Sequence, residues 1–200
     1  MLRPILIPAM LLAAGAGALH AQTDYYARVG AAGAGTLVRD AIGEEIRVRQ
    51  SIAPMLALGA SLPFSPGYRA GIEATLVSGG LDAKQDGVGD TDLGTLRTAS
   101  LLLGLDGPIS SALRWRAGVG GLLYWPSEDT GIFLRGGPIR FLAGAGVDYR
   151  RPLLESWDLM ASARYDFHRF TTEELEHRGF TQAQGVSRVS LSVGLARGIR

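Results

Sequence analysis

An all-β fold, an eight-stranded antiparallel up-and-down barrel crossing a membrane, is the class this sequence predicts. Three observations carry it. Apolar and polar residues alternate with period two over eight separate stretches, the connections between those stretches are alternately short and long, and aromatic residues gather at one level of the apolar face.

Composition allows this and excludes much else. The 200 residues are enough for one domain or one small barrel, and 46% hydrophobic with 20% charged residues excludes a disordered chain. The 28 glycines are about twice the usual share and show no collagen period, so they serve turns, close packing or strand geometry. A net charge of +1 gives no electrostatic ground for binding nucleic acid. The absence of cysteine excludes thiol catalysis, Cys-ligated zinc and disulfides.

The first 21 residues read as a secretory signal. Met1-Leu2-Arg3 is a short positive start, residues 4–19 are apolar, and Ala18-Leu19-His20-Ala21 sets small residues three apart before polar Gln22-Thr23-Asp24. That pattern predicts cleavage after Ala21 and a mature barrel domain over residues 22–200. The longest later apolar runs, Ile52–Leu62 and Leu101–Leu105, fall short of the ~18 residues a membrane helix needs.

The strands follow in order. Strand one, about Tyr25–Ala34, sets Tyr25, Ala27, Val29 and Ala31 against Arg28. Strand two, about Arg47–Phe64, is apolar at Ile52, Leu56, Leu58, Ala60 and Leu62, and Pro54 within it calls for a bulge because proline has no ladder donor. Strand three, about Tyr68–Ser78, sets Tyr68, Ala70, Ile72, Ala74 and Leu76 against Arg69, Glu73 and Thr75. Strand four, about Leu96–Leu105, carries Ala99, Leu101, Leu103 and Leu105. Strand five, about Leu113–Trp125, opposes Leu113, Trp115, Ala117, Val119 and Leu123 to Arg114, Arg116, Gly118 and Gly120. Strand six, about Ile139–Tyr149, opposes Phe141, Ala143, Ala145 and Val147 to Arg140, Gly144, Gly146 and Asp148. Strand seven, Trp157–His168, alternates over twelve residues, and strand eight, centred on Val189–Leu195, does so without exception.

Residues 64–68, 106–112 and 151–156 are short connections, whereas 35–46, 79–95, 126–138 and 171–185 are longer and more polar. Short periplasmic turns and four long extracellular loops describe a transmembrane β-barrel. The face decides between that and a soluble sandwich. Tyr25, Phe64, Tyr68, Trp115, Tyr149 and Trp157 all fall on the apolar face at the short-turn ends, an interfacial girdle. Trp125, Phe141, Tyr165 and Phe167 occupy the same face toward the long loops. The wall between them is Ala, Leu, Val and Ile.

With this architecture, girdle and terminal strand, the chain over Gln22–Arg200 resembles the small eight-stranded outer-membrane proteins of Gram-negative bacteria, the OmpA-, OmpX- and OmpW-like barrel families. No motif ties it to one of them. The resemblance implies an outer-membrane location, contact with outer-membrane lipid and lipopolysaccharide, handling by the barrel-assembly machinery, a monomeric state and no cofactor. One departure is visible: such barrels often end on an aromatic residue, whereas this chain ends Leu195-Ala196-Arg197-Gly198-Ile199-Arg200.

The polar face carries a charge network: Arg28, Arg69, Glu73, Arg114, Arg116, Arg140, Asp148, Asp158, Arg164, Asp166 and Arg188. Eight strands leave room for side chains rather than for an open channel, so a packed interior of paired charges is favoured over a gated polar pore. Strands three and seven lie opposite in an eight-membered ring, which sets Glu73 within expected reach of Arg164, Arg116 or both. Chemistry elsewhere is thin. Residues 82–93 match a calcium loop at positions one, five, six and nine, but Lys84 and Leu93 replace essential ligands, so a solvated turn and no metal are expected. His168 with Asp166 and Ser190 makes a weak hydrolase constellation, and Gly30–Gly35 lacks the lysine and helix of a phosphate loop. No catalytic residue is assigned. The reading is a non-enzymatic barrel with a structural or surface-interaction role through its extracellular loops. The alternative is a narrow pore or a conduit for small hydrophobic molecules, as in OmpW-like proteins.

Overall fold

The structure, a computed structural model, describes residues 23–40, 46–85, 89–127, 131–134, 137–177, 179 and 183–198. The expected signal segment, residues 1–21, lies outside the described residues, as do the middles of the long connections. The strands are β1 (Asp24–Ala34), β2 (Thr36–Asp40), β3 (Ile46–Gln50), β4 (Ala53–Ser65), β5 (Tyr68–Gln85), β6 (Gly89–Pro108), β7 (Leu113–Pro126), β8 (Ile139–Leu154), β9 (Trp157–Phe170) and β10 (Gln184–Gly198).

β1 pairs with both β4 and β10, which closes β1 and β4 through β10 into a ring of eight antiparallel strands. Closure is what lets strands cross lipid, because an unpaired backbone N–H or C=O there costs several kcal/mol. The register sets the tilt. The pairings run from Asp24 to Ser61, Gly71, Gly104, Gly118, Gly144, Asp166 and Arg188, then return to β1 at Ala34, ten residues further along. A stagger of this kind inclines strands roughly 35–45° to the barrel axis. It also lines up inward-facing glycines on four consecutive strands, β5 to β8, leaving one side of the lumen open to long side chains.

The alternation sorts cleanly by face. Val29, Leu58, Leu76, Leu103, Val119, Val147, Val193 and Leu191 are exposed on the outer wall, whereas Arg28, Glu73, Asp148, Asp166 and Arg188 are buried in the lumen. An apolar exterior around a polar interior inverts a soluble protein and suits a barrel solvated by lipid.

Two connections differ from the sequence expectation. Residues 79–95 are not a loop: β5 and β6 continue as a hairpin to the pair Gln85–Gly89. Likewise residues 35–46 include β2, which pairs with β3, and β3 pairs onward with β5. These stretches hold as strands because Leu37, Val38, Val48 and Leu81 turn inward and are buried against one another. The expected strand two is therefore split into β3 and β4. Its break lies at Ser51–Ile52, where the register against β5 moves by one residue between Gln50–Leu81 and Met55–Val77. That extra residue is a bulge, and it places the resumption of the β5 ladder just past Pro54.

Two outcomes follow. The mature chain needs detergent or lipid to stay folded and runs faster on unheated than on heated gels; soluble monomeric behaviour without detergent contradicts the barrel. Leu191, outward and 62% exposed, separates the faces. Leu191→Arg is expected to cost about 2–4 kcal/mol near the midplane. Leu191→Ala is expected to be much milder, by urea unfolding in vesicles, and equal costs would contradict the assignment of faces.

Candidate functional site

The lumen is filled in three layers. At its centre stands Glu73 on β5, 2% exposed. Guanidiniums from three other strands converge on its carboxylate. Arg28 of β1 pairs with Oε2, Arg116 of β7 lies 2.8 Å from the same oxygen, and Arg164 of β9 donates to Oε1 at 2.5 Å. The Tyr26 hydroxyl donates to Oε2 at 2.9 Å and accepts from Arg116 at 3.1 Å. Its ring also lies beneath Arg28 and Arg116, 5.1 and 5.7 Å from their guanidinium carbons. A second acid balances the charge: Asp148 of β8 pairs with Arg28 and Arg116, each at 3.4 Å, and accepts the Ser162 hydroxyl at 2.6 Å. Asp166 takes Arg164 Nε at 2.7 Å.

Glycine makes the room. A side chain at Gly59 would overlap the Tyr26 ring, and one at Gly144 would overlap the Asp166 carboxylate. Beside Glu73, Arg116 and Asp148 lies a cavity of about 30 Å³, room for a water or two.

Below this layer, at the mouth on the short-turn side, Asp24 pairs with Arg69 and Arg150, each at 3.1 Å, and Arg114 donates to Asp106 at 2.5 Å. Above it the character changes. Leu96, Leu122, Leu142, Phe170 and Val186 face inward and are fully buried. Phe133, in a 3₁₀ turn at Gly131–Phe133, stacks on Tyr124 with centroids 6.2 Å apart, and Phe170 meets both rings edge-on. A short helix, α1 (Glu173–His177), adds Leu175 to the cluster; Thr172 caps it, its hydroxyl accepting from the Leu175 amide at 3.1 Å. The upper lumen is an apolar core.

The sequence-derived charges thus separate into groups. Glu73, Arg28, Arg116, Arg164, Asp148 and Asp166 meet at the centre. Arg69 and Arg114 stand at the short-turn mouth, and Asp158 is half-buried at the same end. Arg140 lies at the upper rim, donating to the Thr171 carbonyl. Arg188 bonds the Thr98 hydroxyl at 2.9 Å. Sequence reasoning passed over Tyr26, Asp24, Asp106, Arg150 and Ser162, as well as the inward Tyr124 and Phe170. Their parity matches the inward face, which was the available signal.

On the outer wall the short-turn girdle residues form a belt. Phe64, Tyr68 and Trp115 are neighbours, with centroids 6.4 and 6.5 Å apart, Tyr25, Tyr149 and Trp157 continue on other strands, and Trp125, Phe141, Tyr165 and Phe167 lie on the same outer face toward the other end.

Solved structures with this arrangement are known. Neisserial surface protein A is similar with a TM-score of 0.51 and 17% identity, over 88% of this chain and 96% of that one. The outer membrane protein OprG from Pseudomonas aeruginosa gives 0.50 and 16%, over 88% and 95%. Outer membrane protein AlkL, solved in lipid bilayers, gives 0.53 and 16%, over 88% and 90%. The chain has the fold of the small outer-membrane β-barrels. No family model and no curated protein matches it.

Within this outer-membrane barrel fold the other candidate sites look ordinary. His168 is buried, with Nε2 hydrogen-bonded to the Tyr124 hydroxyl, while Asp166 is engaged by Arg164, so no Ser-His-acid relay assembles. The calcium-like segment lies in the β5–β6 hairpin rather than in a solvated turn. There Asp82 sits across from Asp92, and Lys84 is 3.7 Å from Asp90; residues 86–88 lie outside the described residues.

Glu73 is the test of this site. Glu73→Ala leaves three guanidiniums that stay protonated, and is expected to destabilise the barrel by about 3–5 kcal/mol. Tyr26→Phe removes one donor and one acceptor, at roughly 1–2 kcal/mol. Unfolding in lipid vesicles measures both; a cost below ~1 kcal/mol for Glu73→Ala would mean a solvated lumen.

Proposed function

We propose that this chain is a non-enzymatic, monomeric outer-membrane barrel whose role is structural or surface-interacting, exerted through its extracellular side. One observation carries the reading: the lumen is occupied along its axis, by the Glu73-centred charge network below and by the Tyr124–Phe133–Phe170 apolar core above. A filled barrel transmits rigidity rather than solute. It holds the β2–β3 and β5–β6 hairpins and α1 above the membrane, where a scaffold presents loops to partners.

The solved relatives in fold support the location by analogy, and the apolar outer wall with two aromatic belts supports it from this chain's own residues. Lipid and lipopolysaccharide are its surroundings, and the barrel-assembly machinery its route into them. A pore finds no support in a cavity of about 30 Å³. Ion conductance of the refolded protein in planar bilayers tests the reading. No steady channel is expected, and a stable open conductance in the unsubstituted protein would replace the scaffold with a conduit.

A further inference from the structure

The outer wall is not uniform around the ring. Across β1, β10 and β9 it is indented by a groove of about 620 Å³ bordered by Tyr25, Val29, Trp157, Val193, Leu195 and Arg197. A second hollow of about 430 Å³ shares Val29 and Val193 with it and runs on toward Ala161 and Tyr149. The two form one apolar track rising from the periplasmic interface toward the midplane.

At the foot of that track stands a cation. Arg197 sits in register with Tyr25 on one side and Trp157 on the other, and its guanidinium carbon lies 5.7 Å from the Trp157 ring centre. Its side chain is exposed on the outer wall, and among the described residues no carboxylate comes within ion-pair distance. The nearby acids face elsewhere: Asp24 and Asp158 are on the inward face, Asp24 held by Arg69 and Arg150, and Glu155 stands in the β8–β9 turn. Arg151, in register with Leu159, is a second exposed cation on the same side of the barrel. A guanidinium held at an aromatic belt, at the foot of a hydrocarbon-sized trough, presents complementary chemistry for one kind of molecule: a phosphate head with acyl chains.

We infer that this face is a seat for an anionic glycerophospholipid of the periplasmic leaflet, its phosphate on Arg197 beside Trp157 and an acyl chain along the track between Tyr25 and Val193. The inference rests on the outer-membrane reading above and adds a lipid preference confined to one face and one leaflet. Charge selects the lipid, since a net-anionic head gains from Arg197 and Arg151 where a zwitterionic head gains less.

Trp157 reports on the seat directly. With Trp115→Phe and Trp125→Phe it is the chain's remaining tryptophan, and acyl-brominated lipids quench an indole they touch. In vesicles mixing brominated phosphatidylglycerol with plain phosphatidylcholine, and the reverse, Trp157 is expected to favour phosphatidylglycerol about fivefold. Arg197→Gln is expected to bring the ratio to parity and Arg197→Lys to retain most of it. A protein keeping only Trp125, at the opposite belt, is expected to show no preference. Gel mobility of unheated samples verifies folding in each case. Should Arg197→Gln not fold, salt decides on the protein with Arg197 intact, whose preference is expected to fade from low to molar salt. Equal quenching by both lipids, a preference that survives Arg197→Gln or high salt, or the same preference at Trp125 would overturn the inference. Failure of the unsubstituted protein to insert into vesicles would instead overturn the membrane reading on which it stands.

Discussion

A single carboxylate, that of Glu73, ties the barrel together across its axis. The ladders join each strand only to its neighbours around the ring. Glu73 on β5 instead engages Arg28 on β1, Arg116 on β7 and Arg164 on β9, so that sides of the barrel with no backbone contact are held at fixed separation. Buried ions carry a desolvation cost that only good geometry and extra hydrogen bonds offset. Tyr26, Asp148 and Ser162 supply those bonds here. Glycine on the facing strands supplies the volume for five long side chains, which is why so glycine-rich a sequence makes a well-filled interior.

Above that network the lumen becomes apolar, and the change has a mechanical reading. From the level of the upper aromatic residues onward, Leu37, Val48 and Leu81 are buried in one cluster with Leu96, Leu122 and Phe170. Charge pairing fills the lower lumen and hydrophobic burial fills the upper. Together they fill the lumen among the described residues, and the apolar cluster accounts for hairpins that stand as strands where loops were expected.

The legible part of the fold was parity. Alternation such as Val189–Leu195 states which residues face out, and a belt such as Tyr25, Tyr68 and Trp115 states which outward face meets lipid. Height was much less legible. Arg116 and Tyr124 share the inward face of β7 but stand at different points along it, and the ten-residue stagger decides which residues of the other strands each one meets: Arg116 joins the charge network and Tyr124 the apolar core. Period two carries no information about that stagger. Tyr26 shares the parity of Arg28, yet its partners Glu73 and Arg116 lie on other strands, and no spacing in the sequence points to them. The hairpin over residues 79–95 was obscured by its Asp and Gly content, which reads as loop although Leu81 and Leu96 anchor it from inside.

The most direct measurement is a double-mutant cycle between Glu73 and Arg164 in lipid vesicles, using Glu73→Gln and Arg164→Gln singly and together. The two residues are on strands that share no ladder, so any coupling between them passes through the lumen. A filled interior predicts a coupling energy of about 2–3 kcal/mol. A coupling below ~0.5 kcal/mol, the value of independent sites, would show that water separates the two groups and that the barrel is not held from within.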